Sequence, residues 1–314
     1  MAVDATVDIH PETRLLVSKG AARLRNLTGK PVEQLVVTLN PDLNVQSLDA
    51  PGTRVEEQDE SYGHYLFRFD QPVAPDEEKS VSWSLEWSNP GFVNGTPNSR
   101  VAANGTFVDS TEVLPVLSYN PSRELQDNNK RREHGLDPVQ RMPKLGDPDW
   151  FNVSQFGVST RADFVVTVST SPDQITIAPG YLKKEWTENE RRYFTYEMDQ
   201  LIWQFFSLSS ARYAVVKDRW KDVDIAVYHD PKHPFNVPTM VRSTKASLDY
   251  FTREFSPYQY RQFRILEFPA YATFAQSFPN TIPFSEAISF ISNIMDPETI
   301  DLPFYIAAHE MAHQ

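Results

Sequence analysis

The chain contains no cysteine. That excludes disulfides and every thiolate metal site, so a metal centre here would be built from histidine and carboxylate. It leaves the compartment open. Basic charge is scarce as well: 30 lysines and arginines stand against 42 aspartates and glutamates, a net charge of -12. A nucleic-acid partner is excluded on that balance, because binding a phosphate backbone needs a basic face. The single basic cluster, Lys130-Arg131-Arg132 in RELQDNNKRREHG, reads as a solvated helix face. Long apolar runs are missing too. No stretch approaches the roughly 18 residues of a membrane-spanning helix. The N-terminal MAVDATVDIHPE lacks the apolar centre of a signal peptide. The chain therefore reads as a soluble domain. Sequons at Asn26, Asn94, Asn104 and Asn152 have no secretory context and read as chance. No internal repeat is visible.

What is present begins as alternation. Across residues 1–115, TVDIH, RLLVSKGAARLRN, EQLVVTLN, HYLFRFD and KSVSWSLEW each place apolar residues at period two, with turn chemistry between them. Asn94-Gly95 and Asn104-Gly105 favour tight turns. Residues 116–150 are polar and proline-rich, with one short helix expected over 122–134 and ended by Gly135. Strand patterns return over 151–216. Strands at this density without intervening helices predict an antiparallel sandwich or saddle.

After about residue 217 the pattern changes. VDIAVYH reads as a strand. Asn236 is placed to cap a helix reaching Phe255, with Met240, Val241, Thr244, Leu248, Phe251 and Phe255 on one face. QFRILEFP is a further strand. A last helix is expected from Asp301 as cap, with Pro303 in its first turn. The expected division is a mostly β part over 1–216 and the start of an α+β part over 217–314.

That last helix carries AAHEMAHQ, a match to H-E-x-x-H. A helix turns about 100° and rises about 1.5 Å per residue. His309 and His313 therefore lie on one face, about 6 Å apart along the axis, and both can reach one tetrahedral zinc. Glu310 stands beside them, placed to act on the proton of a water. His229 and His233 repeat the four-residue spacing in HDPKHP. There Pro231 and Pro234 break any helix, so the stretch reads as a surface loop without a metal role. A catalytic zinc needs three protein ligands. Glu267 and Glu286 are upstream candidates for the third, and nothing in their spacing recommends either.

Three stretches, YFTREFSPYQYRQFRILEFP (250–269), AQSFPNTIPFSEAISFI (275–291) and YIAAHEMAHQ (305–314), resemble the M1 (gluzincin) zinc aminopeptidases. The resemblance is closest to the bacterial subgroup in which an M1-like part follows an ABC-transporter permease region, which would associate the parent protein with a membrane. It implies a saddle-like β domain followed by a thermolysin-like catalytic domain. It implies Zn2+ held by His309, His313 and a downstream glutamate, with Glu310 as general base and a peptide as substrate. The family's G-A-M-E-N motif, whose glutamate binds the substrate's free amine, matches Pro283-Phe284-Ser285-Glu286-Ala287, where only Glu286 is kept. The aromatic residues Phe268, Tyr271, Phe274 and Phe278 are expected in cleft wall and core, and the SYNPSREL loop (118–125) as a roof over the cleft. On this reading the chain is a truncated fragment, its zinc helix terminal and fraying, and it is expected to bind zinc weakly and hydrolyse little or nothing. Two other readings stand beside it: a non-catalytic binding or regulatory module of a transporter, and an endopeptidase.

Overall fold

A computed structural model describes residues 1–89, 100–117, 124–139, 144, 146–148, 161–294, 296 and 298–314. The expected turn at Asn94-Gly95, the sequon at Asn152 and most of the SYNPSREL loop lie outside the described residues. In chain order the elements are β1 (Ala2–His10), β2 (Leu15–Arg25), β3 (Val32–Thr38), β4 (Asn44–Asp49), β5 (Thr53–Asp59), β6 (His64–Val73), β7 (Glu78–Ser88), β8 (Thr106–Asp109), α1 (Ser110–Val113) and α2 (Asn128–Glu133). There follow β9 (Arg161–Thr170), β10 (Ile175–Ile177), β11 (Tyr181–Glu188), β12 (Arg191–Glu197), β13 (Ile202–Trp203) and β14 (Ser207–Ala211). The last part holds β15 (Ala214–Trp220), β16 (Val223–His229), α3 (Val237–Glu254), β17 (Gln262–Phe268), β18 (Thr281–Ser285) and α4 (Leu302–Ala312). The chain is mostly β, with a short α+β C-terminal part, as its patterning predicts.

An eight-stranded sheet runs β11-β12-β9-β1-β2-β7-β4, with β13 joined to β9. Its alternation is the one written in the sequence: Val81, Trp83, Leu85 and Trp87 of β7 are buried, with less buried residues between them. Gly20 of β2 lies against the Trp83 indole, where a Cβ would sit 2.5 Å from a ring carbon. One pairing departs from the antiparallel expectation. β1 and β9 run parallel, because β9 arrives from a distant part of the chain rather than through a hairpin. β4 and β5, which are polar and mostly exposed, show no apolar alternation and were not foreseen.

The C-terminal part is a four-stranded sheet, β15-β16-β17-β18, whose last three strands are parallel. α3 and α4 pack together on it, and Ser243 of α3 donates to the Phe304 carbonyl at 2.6 Å. Asn236 precedes α3, as predicted, but does not cap it. Its amide instead donates to the carbonyls of Phe290 and Ser292 at 2.8 and 2.9 Å. Met240, Val241, Thr244 and Leu248 are buried as expected, whereas Phe255, past the helix end, is 77% exposed. α4 is not a frayed end. Asp301 accepts from the Phe304 N–H, and Pro303, Ile306, Ala307, Glu310 and Met311 are buried. Just beyond it the Gln314 side chain donates to Ser277 Oγ at 2.5 Å and to the Phe278 carbonyl at 2.7 Å.

Two apolar clusters result. One spans the β-rich part and takes in Leu266, Phe268 and Phe278; the other gathers Val223, Phe263, Ile265, Phe284, Phe290, Ala307 and Met311. β17 belongs to both, and Arg264 lies within it, fully buried. Its guanidinium donates to the Ala178 carbonyl, Asn280 Oδ1 and Thr281 Oγ1 at 2.8–2.9 Å and lies 5.6 Å from the Tyr196 ring. Hydrogen bonds from a charged donor are worth about 1.5–3 kcal/mol each, and removing the donor strands its acceptors. Arg264→Ala is therefore expected to lower unfolding free energy by about 2–4 kcal/mol. Arg264→Met, which restores volume without donors, should recover less than half of that loss in urea denaturation.

Candidate metal and ammonium site

α4 presents its functional residues on two faces. The buried stripe runs through Pro303, Ile306, Ala307, Glu310 and Met311, while His309 and His313 are exposed beside it. Their Nε2 atoms lie 3.2 Å apart. Two nitrogens bound to one tetrahedral zinc at about 2.0–2.1 Å would be about 3.3–3.4 Å apart. The separation of the pair thus matches the one a shared zinc would require. Glu310 is 7% exposed. Burial pushes its carboxyl above the ordinary range, against the pull of His313, His309 and a hydrogen bond from the Ser277 backbone. A third ligand does not join them: among the described residues, neither Glu267 nor Glu286 forms a group with the two imidazoles. A cavity of about 460 Å3 opens beside His313, walled by Arg161, Trp203, Phe205, Tyr260 and Ser277. That volume is in the range of small-ligand sites.

Glu286 and Glu267 come together elsewhere, with His233 of the HDPKHP stretch. His233, Glu267 and Glu286 each offer a ligand atom within 4.8 Å of the other two. The HDPKHP stretch is non-helical, as its prolines require, but it is not simply a surface loop: His229 closes β16 and is 4% exposed, and His233 meets the buried Glu267. Glu267 Oε2 accepts from the Asp230 N–H at 2.5 Å, and Oε1 is engaged by His233 Nδ1. Glu286 stands immediately after β18, at the start of a helical turn over Glu286–Phe290. Phe290 of that turn shares a core with Ala307 and Met311, so the turn and α4 are packed on the same apolar cluster. Burial pushes the Glu267 carboxyl up to about 7, opposed by Asp230 and His233 and assisted by Glu286. Burial alone would lower His233; its contact with Glu267 outweighs that and holds the imidazole above its ordinary value. The sequence carries one signal for this cluster, the acidic Glu267 in the apolar strand QFRILEFP, a candidate ligand on sequence grounds though its spacing does not point to His233.

Of the aromatic residues, Phe268 and Phe278 lie in the core as expected, with Tyr271 and Phe274 packed against it. Phe268 stacks on Phe107 at 4.4 Å and meets Phe274 at 5.4 Å, and Phe278 packs on Phe205 at 4.9 Å. These contacts join β17 and the segment after it to the core of the β-rich part.

No protein-family model and no curated protein matches this chain. Solved structures do. The M1 zinc metallopeptidase from Deinococcus radiodurans matches over 100% of this chain and 62% of its own, with a TM-score of 0.62 at 12% identity. A two-domain M1 zinc metallopeptidase, a glutamate-to-alanine mutant bound to L-tryptophan, matches at 0.64 and 12% over 99% and 63%. A mutant of the Deinococcus enzyme bound to a Tyr-Ser-Ala substrate matches at 0.60 and 13% over 100% and 63%. The chain thus shares the fold of these metallopeptidases and spans somewhat less than two thirds of their length.

Two imidazoles supply half a four-ligand set. Complete structural zinc sites are worth about 10–16 kcal/mol, so half is about 5–8, a Kd between about 1 µM and about 0.2 mM. Isothermal titration of the 314-residue chain should fall in that window and lose its signal in His309→Ala. Nanomolar binding would contradict it.

Proposed function

We propose that this chain is the β-rich part, over 1–216, and the first section of the catalytic part, over 217–314, of a zinc metallopeptidase that removes N-terminal residues from peptides. The observation that carries the reading is the 3.2 Å approach of the His309 and His313 Nε2 atoms beside a buried Glu310 on one helix. The M1-like fold and the sequence resemblance over 250–314 support it. His309 and His313 would hold zinc, which when bound supplies a Lewis acid for the peptide carbonyl and for water. A third ligand would come from outside the chain described here.

Glu310 is the residue that moves the proton. Its carboxylate takes one from the attacking water and returns it to the departing amine, so the nitrogen leaves neutral. Glu286 fixes the substrate by its free amine, a charge-assisted contact that sets the first peptide bond, rather than an internal one, at the reacting position. Packing of the Glu286 turn and α4 on one core supports such a fixed separation. The sequence resemblance further suggests that the parent is bacterial and joins this part to a transporter permease region. On its own the 314-residue chain would turn over little or no substrate.

The product of the whole reading frame, loaded with zinc, is expected to hydrolyse aminoacyl-amides. Glu310→Gln should lower kcat by about 10^2–10^4 with the zinc content unchanged. Peptides with a free amine should be cleaved at least about tenfold faster than their N-acetyl forms, and Glu286→Gln should erase that preference. Equal cleavage of acetylated peptides would move the reading to an endopeptidase. A zinc-loaded protein without hydrolysis would move it to a non-catalytic transporter module.

A further inference from the structure

The cavity of about 460 Å3 that opens beside His313 is built from both parts of the molecule. β9 and β13 supply one wall. Arg161 opens β9 and is the register partner of Trp203, so the two side chains stand on one face of the pairing. The guanidinium lies over the Trp203 ring at 5.7 Å. Burial, with Tyr181 nearby, raises the Tyr260 phenol of the same lining to about 12, and the charge of Arg161 opposes that shift. Ser277 and Phe278, with His313 and Gln314 just past α4, close the other side.

The charge of this lining is one-sided. It holds an arginine and a histidine but no aspartate or glutamate, in a chain whose net charge is -12. The nearby Asp199 is bonded to Arg261 at 2.8 Å, and among the described residues Arg161 forms no ion pair. The amides of the lining are already used. Gln200 donates to the Gln259 carbonyl at 3.4 Å, Gln259 donates to the Gln314 carbonyl, and the Gln314 amide donates to Ser277 Oγ and the Phe278 carbonyl. That chain of amides ties the floor together. It leaves the Arg161 guanidinium as the uncommitted charged donor, a planar fork whose geometry suits a carboxylate.

We propose that Arg161 is the receptor for the terminal carboxylate of a short peptide lying past His313, so that the substrates are short peptides with a free C-terminus rather than long chains. The inference rests on the peptidase reading of His309, His313 and Glu310, and adds the far end of the substrate to it. A rounded cavity of this volume is about 10 Å across, the reach of about two or three extended residues. A carboxylate held by the guanidinium beside an indole makes charge-assisted hydrogen bonds in surroundings drier than bulk water, where they are stronger. A longer chain presents no carboxylate at that distance and would have to leave past Arg161 without them.

Titrating the 314-residue chain with Phe-Ala-Ala and with Phe-Ala-Ala-amide tests this without zinc or turnover. The readout is the indole 15N–1H signal of Trp203, identified by its loss in Trp203→Phe. The free acid is expected to shift it saturably and to bind at least about tenfold tighter than the amide. Arg161→Gln should erase that preference, and Arg161→Lys, which keeps the charge and loses the fork, should keep part of it. If Arg161→Gln disturbs the fold, salt carries the same test. Between about 0.02 and 0.5 M NaCl the native chain's preference should fall at least about threefold while binding of the amide holds. Equal affinity for acid and amide, or binding of neither, overturns the proposal. So does a preference that survives in folded Arg161→Gln or is indifferent to salt. Tighter binding of Phe-Ala-Glu-amide than of Phe-Ala-Ala would place the contact on an acidic side chain and overturn the selection of short peptides. Selective binding here, with no hydrolysis by the zinc-loaded product of the whole reading frame, supports the carboxylate receptor while overturning the peptidase reading, so the two failures are told apart.

Discussion

β17 is buried on both faces, and the arrangement of everything around it follows from that. Phe263 and Ile265 point into the cluster beneath α3 and α4, while Leu266 and Phe268 point into the cluster of the β-rich part. A strand covered on two sides has no solvent-facing positions to spend on polar residues. Two of its seven residues are charged nonetheless, and each needs partners. Arg264 finds them in Ala178 of the β-rich part and in Asn280 and Thr281 ahead of and within β18. Glu267 finds them in Asp230 and His233 beyond β16. The strand therefore fixes both how the two parts of the molecule meet and where the acidic cluster stands.

How much of this was legible follows from the range of the interactions. The α4 pair could be read because a helix is a local structure, and four-residue spacing dictates which side chains share a face. The 3.2 Å between His309 and His313 is a consequence of that periodicity. The strands of the β-rich part could be read for the same reason at period two. β4 and β5 could not, because polar edge strands carry no such alternation. The parallel pairing of β1 with β9 is set by topology and leaves no trace in either strand.

The His233, Glu267 and Glu286 group was illegible for a further reason. Its members are separated by 34 residues and then 19, and only the register of three parallel strands joins them. The prolines around His233 correctly ruled out a helix, but ruling out a helix does not rule out a role. A loop that leaves the carboxyl end of a buried parallel strand is a site by position, whatever its local conformation.

The excursion between β17 and β18 ties the two candidate sites to each other. Within it Tyr271 donates to the Gly105 carbonyl of the β-rich part, Phe278 is buried in that part's core, and Ser277 with Phe278 holds Gln314 just after α4. Ser277 also reaches Glu310, and Ala272 holds Ser285 directly before Glu286. One short segment thus contacts Glu310 of α4, Ser285 directly before Glu286, and the β-rich part. The proposed function would need the separation between Glu310 and Glu286 held constant. A segment bonded at both places and wedged into a third body is a physical means of holding it, and α4 is fixed to the same segment through Gln314.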